Sequence, residues 1–317
     1  MSSKILVTGG AGFIGSHIVD RLVDEGFNVR VIDNLSSGRL ENIERWLRNP
    51  KFEFFKGDLK DYSDALEAVR GVDVVFHFAA NPEVRVSTTN PRIHFEENIV
   101  ATFNLLEAMR EHGIKEIVFA SSSSVYGEPE TIPADENAPV RPVSVYGASK
   151  AACENLIHAY SKLYGIKAVI LRYANVIGSR LRHGVIYDLL IKLMRNKDVL
   201  EVLGDGTQVR SYVYVTDAVE ATMIAWKNSR ESYEIYNVGS EDWITVNDVV
   251  NMLLNELNLS NTKIVHRPLL HGVGWLGDVK KIALKIDKLM RLGFTPGYKS
   301  EEAVTKTVRE LIKELSL

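Results

Sequence analysis

Lys4–Thr8 is a β-branched run that breaks abruptly into Gly9-Gly10-Ala11-Gly12-Phe13-Ile14-Gly15, and a helical pattern follows through Glu25. Glycines at this spacing serve a turn too tight for side chains, with backbone that another group must approach closely. The junction commits the chain to strand, turn and helix, with the unpaired amides of the first helical turn pointing outward. The pattern then recurs. Asn28–Ile32 is a second strand closed by Asp33-Asn34, and Phe52–Phe55 is a third, followed by Gly57-Asp58-Leu59 and a helix through Ala65–Val69. Val72–Phe78 is almost continuously apolar, as expected of a strand buried on both faces. A helix over Pro91–His112 carries Phe95, Ile99, Phe103, Leu106 and Met109 at helical spacing. Ile117–Ala120, a helix over Val145–Tyr164 and a strand over Ala168–Tyr173 complete the series. Such alternation predicts right-handed crossovers and an α/β fold with a doubly wound parallel sheet.

A Rossmann-type first domain over residues 1–174 and a smaller, mixed α/β domain over 175–317 are the expected division, with some later segments returning to the first domain. That agrees with roughly 150 residues per domain. In the second half Gly204-Asp-Gly-Thr and Arg267–Gly277 read as loops. Thr245–Leu257 reads as a helix opened by a capping box from Thr245 to Asp248. A last helix from Ser300 places Val304, Val308, Leu311 and Leu315 on one face. The 38 basic and 41 acidic residues leave a net charge of −3, which gives no electrostatic footprint for nucleic acid. No apolar stretch of about 18 residues exists to span a membrane. Met1-Ser-Ser-Lys leads directly into the first strand without a signal-peptide pattern, and the single Cys153 suits a reducing, cytoplasmic compartment. The histidines and Cys153 fall at no metal-ligand spacing, so no metal is expected.

Gly10, Gly12 and Gly15 match a dinucleotide fingerprint, placed as the physics requires between a strand and a helix. The helix beginning near Phe13 would turn its positive end toward a pyrophosphate. Asp33 ends the second strand, 18 residues beyond Gly15, where it would accept hydrogen bonds from ribose hydroxyls and repel a 2′-phosphate. NAD is therefore the expected cofactor rather than NADP, although Arg39 nearby would soften that preference. Asp58-Leu59 is placed either to meet the adenine edge or, through Asp58, to cap the next helix.

Tyr146 and Lys150 stand at i and i+4, on one face of a helix. A tyrosine at its ordinary pKa of about 10 is a poor base at neutral pH. An ammonium about 5 Å away contributes roughly 3 kcal/mol toward the phenolate at an effective dielectric near 20. The pair thus makes a general base for a hydroxyl proton. Ser121-Ser122-Ser123-Ser124 follows the fifth strand, at the sheet end where reactive groups gather. Some of these hydroxyls satisfy local backbone and one is free to bridge substrate and tyrosine.

Thr8–Gly15, Asp33–Gly38, Gly57–Leu59, His77–Ala80, Ser121–Gly127, Tyr146–Lys150 and Leu171–Asn175 occur in this order. Together they resemble the extended short-chain dehydrogenase/reductase superfamily and, within it, the NAD-dependent nucleotide-sugar epimerases, nearest the UDP-galactose (UDP-glucose) 4-epimerases. The resemblance implies catalytic roles for Tyr146, Lys150 and Ser122, the serine four residues before the tyrosine of Val125-Tyr126-Gly127. It implies cofactor contacts from Gly9, Gly12, Phe13, Ile14, Asp33, Asn34, Ser36, Asp58, Leu59, Ala79, Tyr146, Lys150 and Tyr173. Asn98 joins them, although the family's paired asparagines read Glu97-Asn98 here. Asn175 and Arg210 match positions that hold a nucleotide diphosphate, and Asp278 matches a contact to the uridine ribose.

Two departures bear on substrate. Gly272-Val-Gly-Trp-Leu276 lacks the arginine that many relatives carry shortly before Gly277-Asp278, which leaves Arg267 or another residue as its replacement. Ser123 and Ser124 stand where the related 4,6-dehydratases carry Asp-Glu, so water elimination lacks its acid. The implied reaction is inversion of a UDP-sugar 4-hydroxyl through a 4-keto intermediate. The rival enzymatic reading is an epimerase or decarboxylase of a UDP-uronic acid, whose carboxylate would need Arg85, Arg180 or Arg182. A simple NAD-dependent alcohol dehydrogenase and a non-catalytic NAD-binding scaffold are the others. The helices Pro91–His112 and Val145–Tyr164 carry apolar positions on more than one face, matching the family's homodimer contact or else simply the core.

Overall fold

The structure, a computed structural model, describes residues 3–315. Met1 and Ser2, on which part of the leaderless reading rests, lie outside the described residues. Seven strands form the main sheet: β1 (Lys4–Thr8), β2 (Asn28–Asp33), β3 (Phe52–Lys56), β4 (Val74–His77), β5 (Glu116–Ser122), β6 (Lys167–Tyr173) and β7 (Tyr233–Val238). They lie in the order β3-β2-β1-β4-β5-β6-β7, and every pairing is parallel. From β1 the chain works outward to β3, then returns to start β4 on the other side of β1. That reversal opens a crevice at the carboxyl ends of β1 and β4.

Strand burial follows the period of two. Ile5, Val7 and Val31 pack on one face against α1 (Phe13–Asp24) and a helix over Val215–Asn228. Leu6, Ile32 and Phe119 pack on the other against α2 (Tyr62–Val69), α3 (Ala101–His112) and α4 (Val145–Tyr164). The expected helix over Pro91–His112 is not uniform. Arg92–His94 forms one turn, Phe95–Val100 is π-helical, and α3 follows. The wider turn adds a residue to the register, so Phe95 and Phe103 emerge at 55% and 45% exposure while Leu106 and Met109 stay buried. The same shift aims Asn98 inward.

β7 lies in the second half of the chain and was not foreseen, because Glu234 and Asn237 interrupt its apolar run. Asn237 is buried there with its amide donating to the carbonyls of Ala134 and Lys285, both at 3.0 Å. Small sheets make up the remainder. Asn175–Ile177 pairs with Tyr212–Tyr214, and Val199–Leu203 with Lys263–Arg267. Arg267 therefore closes a strand instead of opening a loop. The Gly184–Arg195 helix, Val246–Glu256 and Ser300–Glu314 share a third apolar cluster containing Val249, Leu253, Val304, Val308 and Leu311. The Thr245 box is formed, with Thr245 Oγ1 accepting from the Asp248 amide at 3.1 Å and Asp248 returning the bond at 2.8 Å. Replacing Thr245 by alanine removes this cap and is expected to cost about 1 kcal/mol, read as a melting temperature roughly 2 °C lower.

Candidate active site

The glycine turn ends β1 with Gly9 at a φ of +66°. A methyl group on Gly9 would sit 2.7 Å from the Ala79 amide nitrogen, and one on Gly15 would overlap the Gly9 carbonyl. The strand ends and α1 are thus as close as bare backbone allows. Gly12 caps α1 without any side-chain bond, so the helix presents its amides to the crevice. At the end of β2 the buried Asp33 carboxylate accepts from the Ala11 amide at 2.9 Å and the Leu35 amide at 2.8 Å. Burial pushes its pKa up, and the two amides oppose that shift. Asn34 donates to Asp58 at 3.1 Å, joining the ends of β2 and β3. Asp58 does not cap α2; Asp61 does, accepting from the Ser63 amide at 2.9 Å. These residues line one continuous cleft with Phe13, Ile14, Ser36, Arg39, Leu59, Ala79 and Tyr173. The cradle and the fixed carboxylate fit an adenine dinucleotide.

Asn98 is the exception. Its side chain is spent inside the protein, accepting from the Asn81 amide and donating to Ser149 Oγ, both at 2.8 Å, and it does not line the cleft. It ends a buried chain of bonds. The Ala79 amide donates to Thr8 Oγ1 at 3.1 Å, Thr8 meets His77 Nδ1 at 2.7 Å, and His77 Nε2 meets Thr102 Oγ1 at 2.9 Å. Thr102 then donates to the Asn98 carbonyl at 2.6 Å. This chain ties the turn after β4 to the π-helical segment.

Ser144 caps α4 by accepting from the Gly147 amide at 3.1 Å. A methyl group on Gly147 would lie 2.5 Å from the Ser124 carbonyl oxygen. Only glycine there lets α4 close on the serine turn, and that approach brings Tyr146 to Ser122. Among the four serines, Ser121 turns inward to Glu154 at 2.5 Å. Ser124 donates to Ser122 Oγ at 2.9 Å, and Ser122 is the serine close enough to Tyr146 to act on its phenol. Lys150 is buried, its Nζ donating to the Ala120 carbonyl at 2.8 Å and lying 6.0 Å from the Tyr146 ring centroid. The expected lowering of the Tyr146 pKa by Lys150 does not set its value here. Burial pushes the phenol up to about 12, with the nearby Ser122 hydroxyl opposing. Burial also brings Lys150 down to about 8, with Cys153 and Glu154 opposing.

The far end of the cleft holds Asn175, Arg210 and Asp278. Asp278 and Arg210 form an ion pair at 2.7 Å, with side chains only 2% and 14% exposed. Asp278 also accepts from the Gly274 amide at 2.9 Å. No spacing or motif marks these two positions, 68 residues apart, as each other's partner. Arg267 lies outside the cleft, on the surface with Glu201 at 3.0 Å. Arg85, Arg180 and Arg182 do line the cleft, but each is paired with a carboxylate, from Asp188, Asp20 and Glu314 respectively. Trp275, Gln208 and Lys192 also line the cleft and were not foreseen. They sit on loop and helix positions that no short motif marks. Among the described residues the Trp275 Nε1 and Gln208 Oε1 atoms are buried without a hydrogen-bond partner, so the cleft keeps polar capacity in reserve.

His77 yields a pH prediction. Burial, with Lys150 nearby, depresses its pKa from 6.5 to about 3, so the unfolded chain takes up a proton that the folded protein refuses. The stability is fully present above pH 6.5 and is lost as the pH falls toward 3. Chemical denaturation should find the protein about 2 kcal/mol less stable at pH 5 than at pH 7 from this group alone. A His77→Gln variant should lose that increment of pH dependence.

The profile of the NAD-dependent epimerase/dehydratase family matches residues 5–239. A UDP-glucose 4-epimerase of Mycolicibacterium smegmatis is 34% identical over 312 residues, covering 96% of this chain and 97% of that protein. A crystal structure of a UDP-galactose 4-epimerase is 50% identical, with a TM-score of 0.88, covering 98% of this chain and 99% of that one. The Thermus thermophilus UDP-glucose 4-epimerase in complex with NAD is 37% identical with a TM-score of 0.86, covering 97% and 98%. The fold is thus shared with proteins of one kind, and the chain belongs to the NAD-dependent epimerase/dehydratase family.

Proposed function

We propose that the protein is a UDP-glucose/UDP-galactose 4-epimerase that retains NAD through its catalytic cycle. The observation that carries this reading is the gathering of Tyr146, Ser122 and the buried Lys150 in one cleft with the glycine cradle and the Arg210–Asp278 pair. Residues 1–174 supply most of the cofactor contacts, and 175–317 supply Asn175, Arg210 and Asp278 for the nucleotide diphosphate and its ribose. The cradle of Gly9, Gly12 and Gly15, with the amides of α1, holds the pyrophosphate. Asp33 holds the adenosine ribose, and its negative charge disfavours a 2′-phosphate.

Tyr146 removes the proton of the sugar 4-hydroxyl, and Ser122 relays it and holds the sugar oxygen. Lys150 stays protonated at neutral pH and biases the phenol toward phenolate. Bound NAD supplies the hydride acceptor and donor and, through its positive nicotinamide, a second charge favouring that phenolate. Loss of the hydroxyl proton and of the carbon-4 hydride would leave a planar 4-keto sugar, which would turn its opposite face and regain the hydride at carbon 4 and the proton at its oxygen. Ser123 and Ser124 offer no carboxyl group to drive loss of water. Arg85, Arg180 and Arg182 already face carboxylates of the protein, which favours a neutral sugar over a uronic acid.

Phe95, Phe103 and, at the end of α4, Leu163 are exposed apolar side chains that a homodimer contact would cover. Light scattering should return twice the 35.5 kDa chain mass, and a monomer mass would end that part of the reading. No helix among the described residues is long and apolar enough to cross a membrane, and a cytoplasmic site of action suits the lone Cys153 and a nucleotide-sugar substrate. Proton NMR of UDP-galactose, incubated with the protein as purified, should show UDP-glucose forming to a fixed ratio without added NAD. Tyr146→Phe should lower the rate about a thousandfold. No conversion by the unaltered protein, even with NAD added, would exclude the reading.

A further inference from the structure

Behind the cleft lies a buried polar network that the proposed reaction does not touch. Glu154 is one helical turn past Lys150 on α4 and is 4% exposed. Its carboxylate accepts from Ser121 Oγ at 2.5 Å and from both sides of the Arg172 guanidinium, at 3.0 and 2.7 Å. Arg172, on β6, also donates to the Tyr126 hydroxyl at 3.0 Å, and Tyr126 donates to Asn237 on β7 at 2.7 Å. The turn that presents Ser122 is therefore fastened at Ser121 by Glu154 and at Tyr126 by Arg172. The carbonyl of Ala120, next to Ser121, receives the Lys150 ammonium.

We propose that the Glu154–Arg172 pair is a positioning unit for the reaction, clamping both ends of the Ser122 turn and setting a fixed anion one helical turn from Lys150. The inference rests on the epimerase reading for its kinetic consequences. Burying an ion pair is often no more stabilising than packing apolar groups of the same volume, so stability alone gives little reason for one here. Position gives a reason. Lys150 faces Tyr146, Cys153 and Glu154 on its own helix, His77 on β4, the Phe119 ring on β5, and His94 from the short turn before the π-helical segment. His77 and His94 are both held toward neutrality by burial. The thiol of Cys153 is held protonated in the same way. Among the described residues Glu154 is left as the one carboxylate acting on the ammonium, and it helps to keep Lys150 charged against burial.

The test compares the unaltered protein, Glu154→Gln, and the double variant Glu154→Gln/Arg172→Gln, in which neither buried charge is left alone. Conversion of UDP-galactose is followed from pH 6 to pH 10, and the Lys150 ammonium is titrated by NMR of 13Cε-lysine-labelled protein, assigned with Lys150→Arg. In both variants kcat should fall about tenfold while KM stays within about twofold. The alkaline limb and the Lys150 titration should both move down by about one pH unit. If both variants keep kcat, the alkaline limb and the Lys150 titration while only the melting temperature falls, the pair is scaffolding and the inference is overturned. If the unaltered protein does not convert UDP-galactose, the epimerase reading fails. The Lys150 titration in the same proteins still decides whether Glu154 holds its charge.

Discussion

The approach of bare backbone at Gly9 and Gly15 is the constraint on which the rest depends. β1, β4 and α1 meet there with no room for one additional carbon atom. Because β1 and β4 are neighbours at the point where strand order reverses, the same contact creates the crevice and lines it with amides. Much of the site then sits at a carboxyl end of a strand. Asp33 ends β2, Ala79 follows β4, Ser122 ends β5 and Tyr173 ends β6. A second close approach, at Gly147, brings α4 onto the Ser122 turn and completes the arrangement.

Charge in this cleft is organised by pairing more than by number. Arg210 lies against Asp278, Arg85 against Asp188 and Arg180 against Asp20. Lys150 is different, because its ammonium donates to a carbonyl and its nearby anion belongs to a network behind it. An ammonium held in this way keeps its charge available to the phenol of Tyr146. The high intrinsic pKa of that phenol, set by burial, is the quantity the surrounding cations must work against.

The regular half of the fold was legible because its strands are buried on both faces and read as apolar runs with glycine or aspartate at their ends. Motif residues came with them, since a turn such as Gly9–Gly15 has few physical alternatives. What spacing cannot carry is the partner of a polar side chain. Asn98 carries the right amide at the right place, yet the π-helical turn directs it inward to Ser149. Asp58 offers a cap that Asp61 takes instead. Arg210 and Asp278 are distant in sequence and meet through two short strands that no periodicity marks. β7 was hidden because Asn237, polar and buried, is satisfied by backbone from remote segments.

The proposed reaction takes hydrogen from one sugar carbon and returns it to the same carbon, with no exchange into water. Incubating the protein as purified with UDP-galactose deuterated at sugar carbon 4 tests this most directly. The UDP-glucose formed should retain deuterium at carbon 4 and take up none of the solvent's hydrogen there. Product carrying solvent hydrogen at that carbon would contradict it.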